Sequence, residues 1–122
     1  MKKCMVIPAS FRGTISAIEF CEIVSGEITK HFPACEIRSI PVADGGEGTV
    51  ESFLYALNGK RIEIPVKGPY FEDMTGFYGI NPDGTAVIEM AAAAGLPLVG
   101  DRRNARKTTT YGVGQLIADA VK

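Results

Sequence analysis

Asp44, Gly45, Gly46, Glu47, Gly48 and Thr49 form one uninterrupted stretch, "DGGEGT", between "PVA" and an apolar run that starts at Val50. Glycines let a backbone approach a ligand closely and expose its N–H groups. A helix starting at Thr49 would add partial positive charge, which suits an anion. The same glycines equally suit a plain tight turn, and the loop alone leaves both readings open. It is not a Walker A loop, because no G-K-[ST] follows. It is not G-x-G-x-x-G either, because Glu51 stands at the last glycine's place. Asp44 and Glu47 would repel a bare phosphate. They fit if magnesium intervenes or if they bind substrate hydroxyls. Glu47 also has a plain reading, as a helix-start carboxylate answering the dipole.

Two further stretches carry groups of the same kind. "PASFRGT" (Pro8–Thr14) offers Ser10 and Arg12, a hydroxyl and a guanidinium suited to a carboxylate or phosphate. Its plain reading makes Arg12 a solvated charge and Phe11 a hydrophobic plug. "KTTTYGVG" (Lys107–Gly114) offers Thr108, Thr109 and Thr110 beside an ammonium and two glycines. Its plain reading is a cap cluster, with Thr109 or Thr110 opening a helix. His31, the single histidine, stands at the end of a helical pattern and reads as a dipole or surface residue. No Ser/His/Asp set and no metal-ligand spacing of His or Cys is present. Cys4, Cys21 and Cys35 are odd in number and form no C-x-x-C pair.

These loops need elements to hold them. "CMVIP" (Cys4–Pro8) reads as a buried strand closed by proline. Ser16 and Glu19 have capping-box spacing, and Ala17, Cys21, Val24 and Ile28 make one helical face that Pro33 ends near His31. "CEIRSIP" places a second strand around Ile37 and Ile40. The glycine loop then leads into a helix with Val50, Phe53, Leu54 and Leu57 on its face and Gly59 as C-cap. "RIEIPV" alternates as a strand, so the order is strand, helix, strand, helix, strand. That order favours parallel pairing with right-handed crossovers. "MTGFYGI" and "TAVIEM", joined by "NPDG" (Asn81–Gly84), read as an antiparallel hairpin. "AAAAG" is a short helix pattern, and Leu116, Ile117, Ala120 and Val121 mark a last helix. The expected fold is α/β: a Rossmann-like, open three-layer parallel sheet with βαβ crossovers, plus an antiparallel hairpin extension. Residues 1–68 would be an α/β unit bearing both candidate loops. Residues 69–122 would be the hairpin and the start of a second α/β segment.

With 122 residues the chain is one domain's worth, and 46% hydrophobic with 22% charged residues is ordinary globular usage. A net charge of -1, no Trp and no basic run with aromatics argue against nucleic acid. The apolar run after Lys2 and Lys3 ends at Pro8, short for a signal peptide, and no stretch approaches the ~20 apolar residues of a membrane span. A cytoplasmic, reduced protein is expected.

Taken together, "PASFRGTISA", "PVADGGEGTVESF", "VKGP", "FYGI", "AVIEMAAAAGLPLV" and "RN…TTTYGVGQLI" resemble, in order and spacing, the front part of the bacterial-type glycerate kinases. The resemblance covers the whole chain. It implies a two-domain α/β family that phosphorylates D-glycerate with ATP and Mg2+, of which this chain is a partial, N-terminal portion, inactive alone. It implies Asp44 as the catalytic and metal-binding residue. Ser10, Arg12, Gly45, Gly46, Glu47, Gly48, Thr49, Thr108, Thr109 and Thr110 would bind substrate or phosphate. Glycerate and ATP would be the partners, with no nucleic acid, no membrane and a possible homo-oligomer. The chain departs from the family at Ala9 and Arg12, where members carry Asp and Lys. Ala9 deletes a carboxylate, and Arg12 keeps a charge with different geometry. The alternative is a non-catalytic α/β module that binds a small anion or a partner chain.

Overall fold

The structure, a computed structural model, describes residues 2–11 and 13–122. Arg12, a candidate anion ligand, lies outside the described residues. Strands β1 (Lys3–Val6) and β2 (Glu36–Ser39) pair in parallel, with Cys4 opposite Ile37 and Val6 opposite Ser39. Parallel neighbours need a crossover, and helix α1 (Ala17–His31) supplies it. The expected capping box starts that helix. Glu19 N donates to Ser16 Oγ at 3.2 Å, and Ser16 N donates to Glu19 Oε2 at 2.9 Å. Cys21 is buried and its thiol donates to the Val6 carbonyl. The Ser25 and Ser39 hydroxyls lie 2.8 Å apart and pin α1 to β2.

Helix α2 (Thr49–Leu57) begins directly after the glycine loop. Its C-cap is Asn58, in the left-handed conformation with φ 55°, and not Gly59 as the spacing suggested. Asn tolerates that conformation through its short polar side chain. Gly59 is required for a different reason. A Cβ there would stand 2.5 Å from Leu54 and 2.8 Å from the Ile80 carbonyl oxygen.

The remaining strands make a second sheet. β3 (Lys60–Lys67), β4 (Asp73–Ile80) and β5 (Ala86–Val87) lie in that order, all antiparallel. The α/β class read from the sequence holds, with both a parallel and an antiparallel sheet. One strand changes place: β3, which the alternation sent to the parallel sheet, pairs with β4 from Lys60 opposite Ile80 to Lys67 opposite Asp73. The reason is local. Gly68 N donates to the Glu72 carbonyl at 2.8 Å across the turn, and Phe71 takes φ 67°, so the chain reverses in a few residues. A short closure costs little chain entropy, and so short a connection has no room for a crossover. The "NPDG" hairpin forms as expected, between β4 and a short β5. Gly84 lies at φ 85°, and Asp83 Oδ1 accepts from Thr85 N at 2.9 Å.

After β5 come α3 (Ala91–Ala94), α4 (Leu96–Val99) and α5 (Tyr111–Ala120). α5 covers one face of the antiparallel sheet and α2 the other. The approach on the first face is close: a Cβ on Gly112 would lie 1.9 Å from the Lys67 carbonyl oxygen. Gln115 Oε1 accepts from Lys67 N at 2.7 Å, and the Tyr78 hydroxyl donates to Asp119 Oδ2 at 3.0 Å. On the opposite face, Leu54 and Val50 of α2 press on Gly79. The core cluster is Val66, Tyr78, Ala92, Ala93 and Leu116, with Leu116 fully buried.

Candidate active-site cleft

A cleft of about 610 Å³ opens where the parallel unit meets the antiparallel sheet. Small-molecule sites commonly measure about 300–1,000 Å³ and favour such junctions. Its walls come from the loop after β1 with the start of α1, the loop after β2 with the start of α2, strands β3 and β4, and the segment from Glu89 through α3 and α4. The parallel pairing places the first two together. It continues past the strands, with Ile40 N donating to Val6 O at 2.9 Å and Val42 N to Pro8 O at 3.0 Å. Both loops therefore leave the carboxyl edge of one small sheet, where ligands of α/β folds bind.

The structure brings Ser10, Glu47 and Gly48 to the lining of this cleft. Asp44, Gly45, Gly46 and Thr49 belong to the same loop but are not part of the lining. Gly45 and Gly48 have φ 94° and 89°, a conformation that resists a side chain. Asp44 Oδ1 accepts from Gly46 N at 3.1 Å, and Thr49 Oγ1 donates to the Gly46 carbonyl at 2.7 Å, so the loop braces itself.

Thr108, Thr109 and Thr110 do not reach the lining. Thr109 N donates to the Pro69 carbonyl at 2.8 Å, and Thr109 Oγ1 accepts from Tyr111 N at 3.1 Å. Thr110 is the N-cap residue of α5 and makes no capping bond through its side chain. Ala9 is exposed in the first loop. Among the described residues no three His, Cys, Asp or Glu side chains gather as a metal cage, and no helix is long and apolar enough to cross a membrane.

Three charged cleft residues escaped the sequence reading: Glu51, Arg61 and Glu89. Arg61 of β3 pairs with Glu51 (2.6 Å) and Glu63 (2.9 Å) and lies 3.6 Å from the centre of the Phe77 ring. Glu89 is 3% exposed, and its Oε2 accepts from Val50 N at 3.0 Å. Burial pushes the Glu89 carboxyl above its ordinary range, against the opposing pull of the Val50 amide. A signal for Glu89 was available: it is the single charge inside "AVIEMAAAA", and a charge in an apolar run must find a partner when buried. Nothing in the local sequence says that this partner lies at the start of α2.

The glycerate kinase family model matches residues 4–122. A glycerate kinase of Bacillus subtilis is 49% identical over 98% of the chain, which covers 32% of that relative. A glycerate kinase of Haemophilus influenzae is 43% identical over 94% of the chain, covering 31% of it. A glycerate 2-kinase of Escherichia coli is 41% identical over 98% of the chain, covering 32% of it. A crystal structure described as a glycerate kinase 2 of Salmonella typhimurium LT2 superposes with TM-score 0.80 at 36% identity, over 98% of this chain and 33% of that one. The chain thus spans about a third of the length of the relatives it matches. By the family match across nearly all of its length, the chain belongs to the glycerate kinase family.

Proposed function

We propose that this chain carries part of the active site of an ATP-dependent kinase that phosphorylates D-glycerate, and that the 122 residues alone do not turn over. One observation carries the reading: in a chain of this family, Ser10 of the β1 loop and Glu47 and Gly48 of the β2 loop face one cleft. Phosphoryl transfer depends on positioning and on neutralising charge. Ser10 would hydrogen-bond glycerate. Arg12 would supply the cation for its carboxylate or for a phosphate. Backbone amides of Gly45 and Gly48 would hold an anion, with Thr49 bracing the loop. The name of the Escherichia coli relative supports the 2-hydroxyl as acceptor.

The donor set suits magnesium. Asp44 and Glu47 are exposed carboxylates on one loop, and magnesium usually takes one or two carboxylates and completes its shell with phosphates and water. Asp44, oriented by Gly46 N, is the residue that would hold it. Bound with ATP, the ion would neutralise charge on the transferring group. The Thr108–Thr110 segment stands apart from the cleft lining, so its part in phosphate binding would need the remainder of a longer chain. Three free cysteines fit the reducing cytoplasm.

The test is a titration of the 15N-labelled chain with D-glycerate, then with ATP and magnesium, beside a coupled ADP-release assay. Shifts concentrated at Ser10, Glu47 and Gly48 without turnover are expected. Shifts elsewhere, or none, refute the site. Glycerate-dependent ADP release by the 122 residues refutes their inactivity.

A further inference from the structure

We propose that Glu89 is a positioning residue: from the far end of the antiparallel sheet, its buried side chain holds the first turn of α2 and so sets the glycine loop against the cleft. The first N–H groups of a helix have no partner within it. The residue at the N-cap of α2 is Gly48, which has no side chain to offer. The partner comes instead from Glu89, 39 residues away in sequence, through Val50 N at 3.0 Å. Within the loop, Asp44 Oδ1 accepts from Gly46 N and Thr49 Oγ1 donates to the Gly46 carbonyl. The Glu89 contact fastens a backbone amide of the helix's first turn to another element, beside the side-chain ion pair of Glu51 with Arg61 of β3.

The setting favours such a role. Glu89 lines the cleft and is nearly inaccessible, whereas Glu47 on the loop is exposed. A buried carboxylate that meets the positive end of a helix neutralises the dipole there. An incoming anion would then be recognised by loop amides and by the one cation of the first loop, Arg12, with little help from the dipole of α2. Glu89 stands two residues after the end of β5, and Ala92 N donates to its carbonyl at 3.2 Å, so its backbone is held by the start of α3. The cleft walls contributed by α2 and by α3 are thereby joined through one side chain. This inference deepens the glycerate reading and rests on it only for the identity of the ligand.

The experiment is amide hydrogen exchange by NMR on the 122-residue chain, with Glu89→Ala and Glu89→Gln beside the wild type. Because Val50 N has no partner within α2, its protection reports this contact. Protection at Val50, normalised to the Val66 and Leu116 amides, should fall roughly tenfold or more in Glu89→Ala, as expected for a lost bond to a charged acceptor. Glu89→Gln keeps an acceptor oxygen and should recover most of it. A D-glycerate titration of the three proteins should show weaker binding for Glu89→Ala, with recovery in Glu89→Gln. Unchanged normalised protection at Val50 in Glu89→Ala overturns the proposal, as does lost protection with unchanged D-glycerate affinity. If the wild type binds no D-glycerate, the glycerate reading of this chain fails, and the exchange arm still decides whether Glu89 holds the loop. If Glu89→Ala does not fold, Glu89→Gln decides: Val50 protection lost there despite the acceptor overturns the proposal.

Discussion

The two sheets of this chain are built to different standards. The antiparallel sheet is covered on both faces, by α5 and by α2, and it holds the core cluster around Val66, Tyr78 and Leu116. The parallel pair β1–β2 has α1 on one face, through Cys21 and the Ser25–Ser39 contact. On and beside the other face Met5 is 61% exposed and Ile7 54%. Parallel sheets are normally covered on both sides, and two strands alone are marginal. The difference separates a half that anchors the chain from a thinner half. The antiparallel half anchors, and the loops that face the cleft from β1 and β2 hang on the thinner half.

The largest test of that contrast is Leu116→Ala. It removes a fully buried side chain from the anchoring half, and such a change costs about 2–5 kcal/mol, a large share of a small domain's stability. Urea unfolding measures it, and a loss below about 1 kcal/mol would mean that the core lies elsewhere. Ser16→Ala in the thinner half should cost about 1 kcal/mol through the lost cap of α1. Its effect should appear as faster amide exchange in α1, with β3 and β4 little changed. Equal loosening of both sheets would show that they unfold as one unit.

Acidity sharpens the contrast further. Hydrogen bonds hold Glu19 below its ordinary range, from Ser16, and Asp119 below its own, from Lys122 and Tyr78. For such groups the unfolded chain takes up protons first, so their stabilisation is present at neutral pH and is lost as pH falls below the ordinary range. Glu89 has the opposite sign. Its raised carboxyl keeps a proton that the unfolded chain releases, so its contribution weakens as pH rises through the window above the ordinary carboxylate value. Unfolding midpoints measured from acid to neutral pH should show that Glu89→Gln removes the decline on the upper side and leaves the acid loss. A Glu89→Gln profile parallel to the wild type would show that Glu89 keeps its ordinary titration. The smallest effect is expected for Met5→Ser, within about 0.5 kcal/mol, because an exposed position contributes little. A larger loss would reveal that the open face of β1–β2 is packed in solution.

Local signals were read well where local chemistry decides. The Ser16–Glu19 box, the stop at His31 before Pro33 and the turn at Asn81–Gly84 each depend on neighbours within a few residues. The C-cap at Asn58 was misread as Gly59 because both residues tolerate left-handed backbone and stand side by side. The glycine loop was recognisable as a loop before a helix. Its alternatives, turn or anion cradle, were beyond local reading because the partner of α2 is supplied by Glu89.

By itself the sequence determined the class of the fold, most element positions and the family, because periodicity, caps and long ordered motifs are written in adjacent residues. Tertiary structure alone decided three things: that β3 turns back onto β4, that Glu89 caps α2, and that Ser10, Glu47 and Arg61 face one cleft while Thr108–Thr110 do not. The physical reason is common to all three. Strand partners, buried charges and cleft walls are chosen by contacts between residues far apart in sequence, where burial and hydrogen-bond satisfaction outweigh local preference.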